Sequence, residues 1–256
     1  MIQEYLEYDN RKLFLAKHSP DNPSSVVVLL SGLGYTKNEY AYFYSKLARK
    51  LSNVQAIIQF DYSGHGDSDG DFSDATVPVL VQDVKSVIRY CKLQYPNLPL
   101  TIISHGIGTW IVPYCDLEID KWIVWNPVFT IPYRFIEKII NGISPDEYIE
   151  IADLPCFEMP SESRLFFEML GSDWWNVLRG ERFSKKQIIT IQELKSNVLL
   201  DYMKNINSLH FLYGFRWKYM NRKESETYIF PREDDFVRSP LGQEWAIERI
   251  DSILMP

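Results

Sequence analysis

The chain is 256 residues long, 46% hydrophobic and 24% charged, and it contains 12 glycines and 14 prolines. This composition excludes disordered, collagen-like and low-complexity proteins and indicates one large globular domain. The formal net charge of −7 disfavours nucleic acid and anionic membrane surfaces, because both carry phosphate. We therefore expect neither nucleic acid nor a membrane as a partner.

The sequence gives no sign of export, of membrane insertion or of a metal site. The first residues are acidic where a signal peptide is basic, and no apolar run has the length needed to cross a bilayer. The three cysteines, Cys91, Cys115 and Cys156, have no CxxC spacing, and there are only four histidines. A disulfide framework and a zinc site are therefore not expected. We expect a cytoplasmic protein without a cofactor.

The amino-terminal part predicts a strand–helix–strand unit that follows a short hairpin. Val26–Leu30 is an apolar run bounded by turn residues, which is typical of a strand buried on both faces. From Lys37 to Leu51 apolar residues recur every three or four positions, as in an amphipathic helix. Val54–Phe60 predicts a second buried strand. This succession indicates a parallel sheet.

The pattern then repeats along the chain. It predicts a loop over Asp61–Asp74, a helix over Val77–Tyr95, a strand over Leu100–Ile103, a helix from about Ile107 and a strand over Lys121–Trp125. Pro113 falls inside the helix that begins near Ile107. Because proline removes a helical hydrogen bond, we expect that helix to be kinked or short.

Residues 127 to about 204 break this rhythm with five prolines and many aromatic residues. We interpret 127–204 as an insertion over one edge of a sheet, between core segments 1–126 and 205–256. The chain is expected to return to the sheet at Thr227–Pro231. A helix over about Ser239–Arg249 and a last apolar segment, Ile253–Met255, are expected to follow.

Three loops that follow predicted strands carry the motifs. They are Ser31–Tyr35 (SGLGY), Asp61–Ser68 (DYSGHGDS) and Ser104–Gly108 (SHGIG). Their order resembles the α/β-hydrolase superfamily, in its serine esterase, lipase and peptidase-like branch. In that family an HGxG-like loop supplies an oxyanion amide, a DxxGxGxS loop follows, and GxSxG forms the nucleophile elbow. The resemblance implies a mostly parallel sheet flanked by helices, with an inserted helical cap at 127–204.

The nucleophile position is degenerate. Ser104 and Gly108 supply the small outer residues of the elbow, so its centre is Gly106. Glycine has no side chain that could attack a carbonyl. Centring the elbow on Ser104 would put bulky Ile102 two residues before it, which disfavours Ser104 as the nucleophile.

The resemblance also implies an acid and a histidine near the end of the chain. The family's acid lies in a GxxDxxV-type turn after a late strand, which points to Asp234 as a remnant acid, with Asp235 as the fallback. The family's histidine follows the next strand, but no histidine follows Asp234, and His210 precedes it. By this interpretation the carboxyl-terminal part of the core lacks the usual final histidine loop.

The backbone apparatus and the ligand contacts are predicted separately. The resemblance implies that the amides of Leu33 and Ile107 converge on an oxygen atom. His105 is a candidate for catalysis because it adjoins the elbow, although the family uses that position mainly for packing. We interpret His65 as a residue that orders its loop. Aromatic side chains of the cap and of the first loop are expected to line a ligand pocket: Tyr35, Trp174 and Trp175.

Three hypotheses remain, since nucleotide-binding loops fail on glycine spacing. The first is a pseudo-hydrolase that binds a small molecule, a peptide or a protein partner in the former active site. The second is an atypical epimerase, lyase or cyclase that uses the oxyanion hole and substrate-assisted proton transfer. The third is an ordinary serine esterase, thioesterase or acyltransferase that has been shortened at its carboxyl end and whose serine has been replaced by glycine.

Overall fold

A computed structural model describes residues 1–127, 129, 136–137, 140–141, 148–149, 183–213, 226–230 and 239–255. Within these ranges the centre of the protein is an eight-stranded sheet. Its strands lie in the order β1 (Ile2–Tyr8), β2 (Arg11–His18), β4 (Ala56–Phe60), β3 (Val26–Leu30), β5 (Leu100–Ser104), β6 (Lys121–Trp125), β9 (Leu209–Tyr213) and β10 (Glu226–Ile229). β1 and β2 form an antiparallel hairpin, β2 pairs antiparallel with β4, and the pairs from β4 to β10 are parallel. The predicted α/β fold with a mostly parallel sheet is confirmed.

Two further short strands, β7 Tyr148–Ile149 and β8 Phe183–Ser184, pair with each other. The helices are α1 Phe43–Leu51, α2 Val77–Gln94, α3 Ile107–Ile111, α4 Lys185–Gln192, α5 Ser196–Lys204 and α6 Pro240–Leu254.

The central strands are apolar throughout because helices cover both faces of the sheet. Every residue of β3, β4 and β5 is buried. Alternate side chains of these strands enter two apolar clusters: one lies under α2, α3, α4 and α5, and the other lies under α1 and α6. This arrangement is what the continuous apolar runs predict.

Two helices differ from their predicted bounds. The helix expected from Lys37 begins only at Phe43, because a 3₁₀ turn precedes it and Glu39, Ala41 and Tyr42 have positive φ. At the other end of the chain, the segment Ile253–Met255 is not a separate element, since Ile253 belongs to the last turn of α6. The helix after the elbow is short, as predicted, and a 3₁₀ turn that contains Pro113 follows it.

The sequence analysis missed β9, which lies between β6 and β10. The predicted return to the sheet at Thr227–Pro231 is therefore the second such return, and the strand there is Glu226–Ile229.

Most of the predicted insertion 127–204 falls outside the described ranges, and its boundaries stay a prediction. Its described carboxyl-terminal part, α4 and α5, packs into the body of the protein against α2 and the turn after α3. It adds apolar side chains to the cluster under α2: Ile188, Ile191, Leu199 and Met203.

Candidate active site

The three motif loops meet at one edge of the sheet. β3 and β5 are parallel neighbours with Leu30 paired to Ser104, and β4 lies on the other side of β3. The loops that follow these strands therefore leave the sheet side by side at its carboxyl edge, which is where α/β sheets build their active sites.

The turn between β5 and α3 contains Gly106, the predicted centre of the elbow. Gly106 lies at φ 54° and ψ −128°, in a region that residues with a Cβ adopt only under strain. This conformation is compatible with the strained turn expected of a nucleophile elbow, and the assignment of Gly106 to the nucleophile position stays a prediction.

Close packing accounts for the small residues on either side of Gly106. A Cβ on Gly108 would lie 2.8 Å from the Cβ of Leu30 and 2.9 Å from the carbonyl oxygens of Leu30 and Ser31. Ser104 is fully buried, and its Oγ lies 2.9 Å from Thr109 Oγ1 and accepts a hydrogen bond of 2.8 Å from Trp122 Nε1. A hydroxyl held in this way supports the view that Ser104 is structural.

Leu33 and Ile107, the predicted amide donors, follow β3 and β5 respectively. Ile107 is the first residue of α3, so its N–H has no acceptor within the helix. Among the described residues, no hydrogen bond from either amide to another backbone group is found outside the helices and strands. Their convergence on a ligand oxygen stays a prediction.

The loop after β4 is held by a buried carboxylate. Asp61 accepts hydrogen bonds from the Lys37 amide at 2.6 Å and from Lys37 Nζ at 2.8 Å, and Lys37 Nζ also lies 2.8 Å from Asp67 Oδ2. Burial opposes the charge of Lys37, but its hydrogen bonds to the two aspartates outweigh burial and raise its pKa. A Cβ on Gly66 would lie 2.3 Å from Asp61 Oδ2. The DxxGxGxS motif therefore fixes two loops to each other.

His65 orders its loop, as the sequence analysis expects. Its Nδ1 lies 3.0 Å from the Ser63 carbonyl, and its Nε2 accepts a 3.0 Å hydrogen bond from the Gly34 amide. Burial lowers the pKa of His65 to about 4, against opposing contributions from Ser63 and Asp61. The ring is therefore neutral and holds the first loop to the second.

His105 is packed, and it faces a carboxylate that sequence reasoning missed. Its ring stacks on Trp125 with centroids 3.6 Å apart. Its Nδ1 lies 3.5 Å from Glu39 Oε1, and the Glu39 side chain is fully buried. Tyr35 lies next to this pair, with its ring 6.4 Å from that of His105. No motif marks Glu39, because in the sequence it falls on the predicted helix.

Comparison with known proteins agrees with this geometry. Residues 21–150, half of the chain, match the family model described as serine aminopeptidase, S33. The chain belongs to this family of hydrolases. Human monoglyceride lipase is 24% identical over 152 residues, which cover 54% of this chain and 49% of the lipase. The chain thus matches about half the length of that curated relative.

Solved structures that resemble this S33-family protein share its fold. Est1E from Butyrivibrio proteoclasticus, solved with ferulic acid, has a TM-score of 0.68 at 16% identity and covers 98% of this chain and 97% of its own. A soluble variant of monoglyceride lipase from Saccharomyces cerevisiae, solved with a substrate analogue, has a TM-score of 0.64 at 16% identity and covers 97% and 93%. The predicted resemblance to α/β-hydrolases is confirmed.

Several predicted site residues lie outside the described ranges of this S33-family chain: Asp234, Asp235, Trp174 and Trp175. Within the described ranges, no three His, Cys, Asp or Glu side chains come together as a metal site would need. A cavity of about 350 Å³ lies elsewhere, beside His210 and Glu226 at the amino-terminal ends of β9 and β10. Among the described helices, none is both long and apolar enough to cross a membrane.

Proposed function

We propose that this S33-family protein is a pseudo-hydrolase that binds a ligand in the site at the carboxyl ends of β3 and β5 and forms no acyl-enzyme. The observation that carries the proposal is Gly106, which has the backbone of an elbow at φ 54° and ψ −128° and no atom that could attack a carbonyl. The hydroxyl nearest in sequence, that of Ser104, is buried in hydrogen bonds to Thr109 and Trp122.

The histidines support the same proposal. In the resembling family the acid follows one late strand and the histidine follows the next, and the described part of this chain contains two late strands, β9 and β10. Neither the segment 214–225 nor the segment 231–238 contains a histidine. Asp234 comes after β10 in the sequence. The family order places the histidine, and not the acid, after the last strand, so this position does not support Asp234 as the acid.

The ligand we propose is a small molecule or peptide with a carbonyl group and an apolar or aromatic part. Two backbone amides, those of Leu33 and Ile107, suit a carbonyl oxygen. Tyr35 supplies an aromatic wall at the same edge. The relatives include a monoglyceride lipase and Est1E, which was solved with ferulic acid, and they suggest acyl and aromatic compounds as probes.

The experiment combines a covalent probe with a binding assay. The purified protein is treated with a fluorophosphonate reagent and with 4-nitrophenyl butyrate, and binding of 4-nitrophenyl butyrate and ferulic acid is followed by saturation-transfer NMR. We expect no labelling, no release of nitrophenol above buffer, and binding of at least one compound. Labelling or turnover by the purified protein would refute the loss of catalysis, and the absence of binding would refute the binding role.

A second candidate is an enzyme that moves a proton without hydrolysis, such as an epimerase, lyase or cyclase. The observation that favours it is His105, which directly precedes Gly106 in the sequence and whose imidazole faces the buried carboxylate of Glu39. This candidate predicts that the protein exchanges the α-protons of a carbonyl compound with deuterated solvent, which binding alone would not do.

A further inference from the structure

Glu39 has a backbone conformation that needs an explanation. It lies at φ 57° and ψ −175°, which is uncommon and strained for a residue with a Cβ. Its side chain is nevertheless completely buried. A buried carboxylate is costly unless other groups compensate its charge. Both unfavourable terms are tolerated only if the contacts of this carboxylate stabilise the folded state enough to offset them.

Those contacts join two of the motif loops. Oε2 accepts a 2.8 Å hydrogen bond from the Gly32 amide, which precedes the Leu33 amide by one residue. Oε1 accepts a 3.2 Å hydrogen bond from the Tyr40 amide and lies 3.5 Å from His105 Nδ1. One side chain thus contacts the loop after β3 and the elbow after β5.

The His105 ring is fixed in the orientation that faces Glu39. It stacks on Trp125 with an interplanar angle of 7°. On the other side, a Cβ on Gly32 would lie 3.3 Å from Nδ1, so the glycine leaves room for the ring. Within the described part of the chain, Nδ1 is buried and makes no hydrogen bond of good geometry. The carboxylate of Glu39 is therefore the group best placed to accept a hydrogen bond from a proton on Nδ1.

We propose that Glu39 is the positioning residue of this ligand site: its carboxylate ties the Leu33 loop to the elbow and holds the proton of His105 on Nδ1. A neutral imidazole carries its proton on the nitrogen that faces an acceptor, which leaves the other nitrogen as an acceptor. His105 then offers Nε2 as an acceptor in a site whose backbone supplies donors. The inference rests on the proposed function only in treating this edge of the sheet as a ligand site.

The test is the tautomer of His105, measured by long-range ¹H–¹⁵N NMR on protein with ¹⁵N-labelled histidine and assigned with His105→Gln. We expect the Nδ1–H tautomer in the unaltered protein. In Glu39→Gln the amide oxygen keeps the shorter backbone hydrogen bond, that of 2.8 Å from Gly32. The NH₂ group then takes the place of Oε1, gives up the longer bond of 3.2 Å from Tyr40, and faces His105. We therefore expect the tautomer to change to Nε2–H.

Asp83→Asn is the matched control, because Asp83 is also fully buried and accepts a 2.8 Å hydrogen bond from a backbone amide, that of Ser63. It should lower stability and leave the His105 tautomer unchanged. An Nε2–H tautomer in the unaltered protein refutes the proposal even if Glu39→Gln does not fold, and so does an unchanged tautomer in a folded Glu39→Gln. Because no ligand is present, failure here is distinct from failure of the probe and binding experiments.

Discussion

Acidification is expected to destabilise the protein through one buried imidazole, that of His65. Its ring is only 5% exposed, and its Nε2 accepts the hydrogen bond of the Gly34 amide. A second proton on the ring would have to sit on Nε2, against that N–H. Burial is the main reason that the pKa falls from 6.5 to about 4 in the folded protein.

The direction and size of this stability change follow from the linkage between proton binding and folding. Above pH 6.5 the ring is neutral in both states, so its titration changes nothing. Between pH 6.5 and about 4 the unfolded chain binds a proton that the folded protein does not, and stability falls with pH. At about 1.4 kcal/mol per pH unit, the loss over this window is about 3 kcal/mol. Below the folded pKa both states are protonated and the loss is complete.

The assay is urea denaturation at several pH values between about 7 and 4, for the unaltered protein and for His65→Gln. Glutamine can accept from Gly34 and does not titrate, so the stability difference between the two proteins should move by about 3 kcal/mol in favour of the variant on acidification. His18→Gln is the control. The His18 ring is only half-buried, and burial lowers its pKa less than it lowers that of His65, so this variant should show a smaller change with pH. Parallel pH profiles for the unaltered protein and His65→Gln would refute the reasoning.

Three further predictions concern packing and reactivity. Gly108→Ala should lower the free energy of unfolding by about 1–3 kcal/mol, because its Cβ would lie 2.9 Å from two carbonyl oxygens; an unchanged urea midpoint would contradict the close approach. Ser31→Ala should leave stability unchanged or raise it, since the buried Oγ has no hydrogen-bond partner among the described residues. A loss above about 1 kcal/mol in the same assay would contradict that. In a Cys156→Ser background, Cys91 and Cys115 should not react with Ellman's reagent until the protein unfolds, because burial raises the pKa of both thiols to about 12; rapid reaction of the folded protein would count against their burial.

The central sheet was predictable because its pattern is local. Runs such as Val26–Leu30 and Lys121–Trp125 are apolar on both faces, and they form strands with the predicted bounds. β9 was missed although Leu209–Tyr213 has the composition of a strand, because the return of the chain to the sheet was placed later in the segment 205–256, at Thr227–Pro231. The start of α1 was wrong for a different reason: helical spacing continues through Tyr40, but tertiary contacts override it where Glu39 turns into the site.

In the site, too, local features could be predicted from the sequence and contacts between distant residues could not. The motif spacing predicts an elbow centred on Gly106. It also marks Gly108 as a position that has to stay small, which the close approach of Leu30 and Ser31 explains. Glu39 could not be identified from a motif, because it lies seven residues beyond Gly32 in sequence and only the folded chain brings their atoms to 2.8 Å. His65 was predicted as a loop residue, but its bond to Gly34, which links two loops, depends on sheet order.

The two glycines of the predicted elbow do not by themselves distinguish a working site from an inherited scaffold. Gly108 has to stay small because Leu30 and Ser31 approach it closely, and Gly106 adopts its backbone without strain. Packing therefore explains both glycines whether or not a ligand binds. Glu39 is different, because an apolar side chain would satisfy the packing without burying a charge. The contact of that carboxylate with His105 is a feature of this edge that packing does not require, and it therefore favours a working site over an inherited scaffold.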